Sequence, residues 1–231
     1  MLDISPTEWT AIALSLRVAI VATLVATPIG IAAAWLLARR DFWGKAFVDA
    51  LIYLPLVLPP VVTGYLLLLT FGRRGLVGAW LADHLGIVLA FRWTGAALAC
   101  GVMSFPLLVR PIRLSIEAVD RRLEQAASTL GAAPWRVFTS VTLPLALPGV
   151  LAGMVLGFAK AIGEFGATIT FVSNIPGETQ TIASAIYSLI STPDGDTAAL
   201  RLVLVSIFIA TAALLASELF ARRATQRLHG N

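Results

Sequence analysis

The chain has 231 residues, of which 58% are hydrophobic and only 13% charged, with a mean hydropathy of +0.87 and a formal charge of +4. A soluble domain carries roughly twice that share of charge, so these figures exclude a water-soluble enzyme and an intrinsically disordered chain. At about 20 apolar residues per crossing, the length allows about five or six membrane spans and leaves no room for a nucleotide-binding domain beside them.

Five apolar stretches follow one another, over about 10–38, 47–71, 93–109, 143–172 and 198–221. In lipid each must be helical, because an isolated strand leaves its backbone groups without partners. The expected fold is therefore all-α, a polytopic bundle of about five transmembrane helices forming one domain over 1–231. The first stretch follows an acidic N-terminus (Asp3, Glu8) and runs up to Arg39-Arg40. It is too long, and lacks the basic leader, for a cleaved signal peptide. The second contains Leu54-Pro55-Leu56-Val57-Leu58-Pro59-Pro60 and then Gly64. With Pro28, Pro106, Pro144 and Pro148 elsewhere, such prolines predict either packing kinks or broken helices around a path. The single cysteine, Cys100, falls in the third stretch, rules out an intrachain disulfide and reads as a small packing residue. The fourth stretch is too long for one straight crossing, which predicts a tilted or broken span. It carries Lys160 and Glu164, spaced i,i+4 on one helical face and able to pair. Ionisable groups inside a membrane point to function, here either an ion pair facing a watery vestibule or a contact with substrate. Arg17, Asp49, Arg201 and Glu218 lie near span ends and are expected to snorkel.

The cations set the orientation. Arg39, Arg40, Lys45, Arg110, Arg113, Arg121, Arg122, Arg136, Arg222, Arg223 and Arg227 fall on one predicted side, and only Arg73, Arg74 and Arg92 on the other. Eleven against three places the N-terminus outside and the C-terminus in the cytoplasm. Trp9, Trp43, Trp80 and Trp93 lie near span ends, where indoles favour the interface.

The longest inward loop, about 110–142, holds five arginines against Glu117, Asp120 and Glu124. Its periodicity predicts a helix over Leu114–Leu130 with Ile116, Val119, Leu123, Ala126, Ala127 and Leu130 on the apolar face. Gly131 supplies a stop and Pro134 opens a second short helix. Periodicity alone leaves two readings open: a knob for a groove on a soluble partner, or an interfacial amphipathic helix.

Within this loop, Gln125-Ala126-Ala127, three residues, Gly131, nine residues, and Val141-Thr142-Leu143-Pro144 resembles the EAA loop of ABC importer permeases. That family pattern is Glu-Ala-Ala, three residues, Gly, nine residues, Ile-x-Leu-Pro. Two positions depart from it: Gln125 stands where the glutamate belongs, with Glu124 just before it, and Val141 replaces isoleucine. Residues Gly163–Thr168 and Phe171–Thr181 look like the sulfate/molybdate/tungstate branch of the family, and 54–65, 71–75 and 187–196 look like its molybdate permeases.

The resemblance implies the type I ABC importer permease fold and ATP-driven import of molybdate, with tungstate or sulfate as alternatives, across a bacterial inner membrane. It implies two permease copies, two cytoplasmic ABC ATPase subunits that hold ATP and Mg, and a periplasmic molybdate-binding protein. Glu124, Gln125, Ala126, Ala127, Gly131, Ala132, Leu143 and Pro144 would then form the ATPase-coupling loop.

The chain itself contains no Gly-x-x-x-x-Gly-Lys-Ser/Thr phosphate cradle, so no enzymatic role is assigned to it. His84 and His229 fall on opposite predicted sides, no metal-ligand cluster is visible, and nothing points to nucleic acid or to a bound cofactor. For the path, Thr168, Thr170, Ser173 and Asn174 could offer donors to an oxyanion beside the Lys160–Glu164 pair; the alternative for each hydroxyl is its own helix carbonyl. A stand-alone channel or secondary transporter is disfavoured by the lack of an internal inverted repeat and by the docking loop.

Overall fold

The computed structural model describes residues 4–229, with side chains described as far as residue 215. Asp3 lies outside the described residues, as do the side chains of Glu218, Arg222, Arg223, Arg227 and His229. Among the described residues every regular element is helical: α1 Pro6–Arg39, α2 Lys45–Val57, α3 Pro60–Phe71, α4 Leu76–Leu85, α5 Trp93–Ala118, α6 Arg121–Thr129, α7 Pro134–Val137, α8 Leu143–Ile162, α9 Gly166–Val172, α10 Ile182–Leu189 and α11 Asp196–His229. Between α7 and α8 the helix continues through a π-helical turn, Phe138–Thr142.

Helix α1 opens with a capping box at Ser5 and Glu8 and runs for 34 residues, about 51 Å, well beyond a hydrocarbon core of about 30 Å. Two arginines mark the part that matches the core. The Arg17 guanidinium lies 3.7 Å above the ring of Trp93, the first residue of α5. Arg39 stands 22 residues further on, a rise of roughly 33 Å. The first turns of α1 project past the Arg17 end, where Glu8 binds Arg201 of α11 at 2.9 Å.

The centre of the bundle is α5, packed on α1 and α8, with α11 against α8. Alanine dominates the buried contacts, among them Ala19, Ala22, Ala96, Ala99, Ala146 and Ala161. Small side chains let helix backbones approach, which is how helices gain contact in lipid. Gly149 and Gly153 of α8 extend this, leaving no room for a side chain against Ser115 and the Leu108 carbonyl of α5.

Three expectations are corrected, and of the two readings of the prolines the second stretch takes the broken one: α2 and α3 are bent by 116° at Leu58-Pro59. The third does not stop at 109; α5 continues to Ala118, carrying Arg113 where Asp49 (2.6 Å) and Glu117 (2.8 Å) neutralise it. The helix expected over Leu114–Leu130 is two. Its first part belongs to α5, and the chain breaks at Val119-Asp120, where the Asp120 carboxylate accepts the Arg122 N–H at 2.9 Å and caps α6. The fourth span begins at Pro134 and not at 143, and it is broken, as its length predicts, at Gly163–Phe165.

The two broken spans meet. A Cβ on Gly64 of α3 would lie 2.5 Å from the Ala167 carbonyl oxygen and 2.9 Å from Thr170 Cβ on α9, and one on Gly166 would lie 2.7 Å from Pro60. Gly64→Ala is expected to force α3 and α9 apart, lowering stability by about 1–3 kcal/mol in thermal unfolding. Gly101→Ala is the control, because its Cβ would meet only the Ala22 carbonyl at 3.8 Å.

Candidate functional site

At the Arg39 end, α6 lies outside the bundle with no buried residue of its own. Its apolar side chains face away from the protein: Leu123 is 49% exposed, Leu130 is 88% exposed, and Ala126 between them is also exposed. This Leu123–Ala126–Leu130 stripe is the opposite of what a helix buried against its own chain shows. Gln125, Ala132 and the exposed Trp135 border it, while Ala127 turns half-inward.

The helix ends in a Schellman turn. Gly131 adopts φ +82°, its N–H donates to the Ser128 carbonyl at 3.0 Å, and the Ala132 N–H donates to the Ala127 carbonyl at 3.2 Å. Only glycine takes this left-handed position without steric cost, and its Cβ position is open space. The sequence motif's Gly131 is thus a backbone requirement.

Leu143 and Pro144, at the motif's far end, begin α8 just after the π turn. Pro144 lacks an N–H and its ring would crowd the carbonyl four residues back. The wider turn resolves this, with the Leu143 N–H bonding to the Phe138 carbonyl five residues earlier.

The motif places Glu124 among the docking residues, but its carboxylate points inward. Its Oε1 accepts from Arg39 Nε at 3.1 Å and from Thr142 Oγ1 at 2.6 Å, while Arg39 Nη2 donates to the Val119 carbonyl at 3.0 Å. Sequence reasoning missed Arg39 as its partner, because 85 positions separate them. A cleft of about 470 Å³ opens beside this group, lined by Trp35, Arg39, Gln125, Phe138 and Thr142 among others.

The second candidate region is the break between α8 and α9. Lys160 Nζ donates to Glu164 Oε2 at 2.6 Å, so the pair forms, but Glu164 sits in the break and not on a continuous helix. Its other oxygen accepts the Ala167 N–H at 3.0 Å, which caps the start of α9. The Glu164 side chain is 1% exposed and that of Lys160 28%. Thr168 and Thr170 donate to the Phe165 and Gly166 carbonyls, each at 2.8 Å. Ser173, at the far end of α9, has a left-handed φ of +66°, and the Asn174 amide donates to Ser188 Oγ of α10 at 2.6 Å. The structure therefore joins Lys160, Glu164 and Thr168 at the break and places Ser173 and Asn174 at the opposite end of α9.

The family of binding-protein-dependent transport system inner membrane components matches residues 26–226, and the chain belongs to it. Among its relatives, the molybdenum transport system permease protein ModB of Escherichia coli K12 is 60% identical over 220 residues, covering 95% of this chain and 96% of that one. The Haemophilus influenzae protein of the same name is 55% identical over 221 residues, covering 96% of each. The fold also matches solved ABC transporters: a bacterial one involved in import of the acidic polysaccharide alginate (TM-score 0.75, 19% identity, 96% of this chain and 81% of that one) and the inward-facing MetNI methionine transporter (TM-score 0.69, 14% identity, 94% of each).

Proposed function

We propose that this chain is the membrane subunit of an ATP-driven importer of molybdate. The observation that carries the substrate is the 60% identity, along nearly the whole of both chains, to a relative named for molybdenum transport. A sulfate permease relative from Chlorokybus atmophyticus is 38% identical over 171 residues, so sulfate and tungstate are the anions to test beside molybdate.

The exposed Leu123–Ala126–Leu130 stripe, held by the Gly131 turn, supports α6 as the helix that enters a groove on a cytoplasmic ABC ATPase. ATP and Mg would be bound by that partner, since this chain has no phosphate cradle of its own. Five crossings, with α2 and α3 counted as one bent span, form one wall, so two copies with a pathway between them, served by two ATPases and a periplasmic molybdate-binding protein, make a closed symmetric assembly. The Arg39 end would face the cytoplasm and the N-terminus the periplasm. Closure of the ATPase pair would drive α6 and rock the bundle between inward-open and outward-open states. Lys160, with Glu164 and Thr168 at the α8–α9 break and Thr170, Ser173 and Asn174 along α9, would line the anion's route.

The test is reconstitution of the permease with the ATPase and binding protein in vesicles, measuring molybdate, tungstate and sulfate uptake. ATP-dependent uptake with molybdate preferred is expected. Uptake without ATP, or preference for an organic solute, would overturn the reading. A reporter fused after Asn231 is expected on the cytoplasmic side.

A further inference from the structure

We infer that Glu124 is the positioning residue through which α6 moves the rest of the bundle, an inference that rests on the reading of α6 as the docking helix. The attachment of α6 is unusual in how little apolar contact it has. None of its residues is buried, and its main packing is on α7 and the π turn. What reaches further is one carboxylate oxygen. Glu124 Oε1 takes both Arg39 Nε and Arg39 Nη2, each at 3.1 Å, and Thr142 Oγ1 at 2.6 Å. Arg39 in turn holds the Val119 carbonyl, the C-cap of α5.

Four elements therefore meet at this carboxylate: the last turn of α1, the end of α5, α6, and the π turn at the base of α8. Charge-assisted bonds to a planar guanidinium fix direction as well as distance. The Arg39 and Glu124 side chains are only 9% and 18% exposed, so water competes weakly for them. A partly buried pair of this kind adds little net stability over apolar packing; what it sets is geometry.

Thr142 gives the junction its second arm. A threonine in a regular helix bonds back to its own helix, as Thr168 and Thr170 do. Thr142 instead donates across to α6, on the residue that closes the π turn. A push on α6 would then reach α1 and α8 together, and these are helices that pack on α5. The motif's glutamate position, Gln125, faces outward, so the work of joining α6 to the bundle falls to the residue before it.

The experiment uses the complete reconstituted complex and measures three quantities: co-purification with the ATPase, ATP hydrolysis, and anion uptake per ATP. Glu124→Gln and Arg39→Gln are expected to keep the ATPase bound and hydrolysing while uptake per ATP falls about tenfold. Thr142→Val is expected to lower it about threefold. Combining Arg39→Glu with Glu124→Arg should recover part of the loss. A purely structural role would lower hydrolysis and uptake together and leave their ratio unchanged, which would overturn the inference, as would loss of the ATPase from Glu124→Gln. If the Glu124 or Arg39 variants do not fold, Thr142→Val decides on the same ratio. Leu123→Asp separates the two readings: it should abolish ATPase binding, and if it does not, the docking assignment of α6 is what has failed.

Discussion

Lys160→Ala is expected to be one of the most damaging single substitutions in the bundle, because it leaves the Glu164 carboxylate buried at 1% exposure with only the Ala167 N–H as partner. Breaking a buried ion pair from one side costs about 3–5 kcal/mol, most of it the desolvation of the charge left behind. Glu164→Ala is expected to cost about 3 kcal/mol, the lower end of that range, since Lys160 is 28% exposed and water can reach it. Loss of the cap on α9 is included in that figure. The double variant Lys160→Met, Glu164→Gln removes both charges and is expected to approach wild-type stability in thermal unfolding. Transport then separates structure from function. A site that releases what it binds gains from a cation already half-satisfied by a neighbouring carboxylate, because a bare lysine would hold a divalent oxyanion too long. The double variant is accordingly expected to fold and yet to lose uptake by at least tenfold. Wild-type uptake by a stable double variant would remove Lys160 from the anion's route and leave the pair a structural one.

The five apolar stretches were legible because hydropathy depends on composition alone, and each contains a helix of the bundle or part of one. Their breaks were legible only as possibilities. Pro55, Pro59 and Pro60 are equally compatible with a kink, and the 116° bend goes with α3 packing through Gly64 onto α9, a contact about 100 positions away. The end of the third span was misplaced because Arg110 and Arg113 read as a loop, whereas Asp49, on α2, neutralises Arg113 and lets α5 continue. The run from Leu114 to Leu130 shows how periodicity misleads when a helix ends without a change in pattern. Ile116 and Val119 are buried in the bundle, while Leu123 and Leu130, one and three turns on, face outward. The cap that separates them was in the sequence as Asp120, read there as one more loop charge. The Lys160–Glu164 pair was legible from its spacing and a break from the length of the stretch, but the position of the break was not, although Gly163 and Gly166 bracket Glu164. The inward turn of Glu124 could not be read at all, because its partners come from α1 and the π turn.

Gly131→Val is expected to uncouple the ATPase from transport while leaving the bundle folded. The Cβ position at Gly131 is open, so crowding is not the cause. The cost is conformational: φ +82° is left-handed, and a non-glycine residue there loses about 1–2 kcal/mol, with β-branched side chains the worst tolerated. Relieving the strain means giving up the bonds from Gly131 to Ser128 and from Ala132 to Ala127 that end α6. A nine-residue helix without buried side chains has little else to hold its last turn, and isolated helices of that length are marginal in water. Leu130 would then leave the line of Leu123 and Ala126, and the docking stripe would be incomplete. In the reconstituted complex, uptake is expected to fall at least tenfold while the ATPase still hydrolyses ATP. Gly131→Asn is the graded comparison, since asparagine is the next most tolerant residue at a left-handed helix end, and it should retain a substantial part of the uptake. If Gly131→Val transported like the wild type, the Schellman turn would not be what presents α6. If asparagine and valine were equally damaging, the defect would lie in a lost contact of the glycine itself and not in its backbone angle.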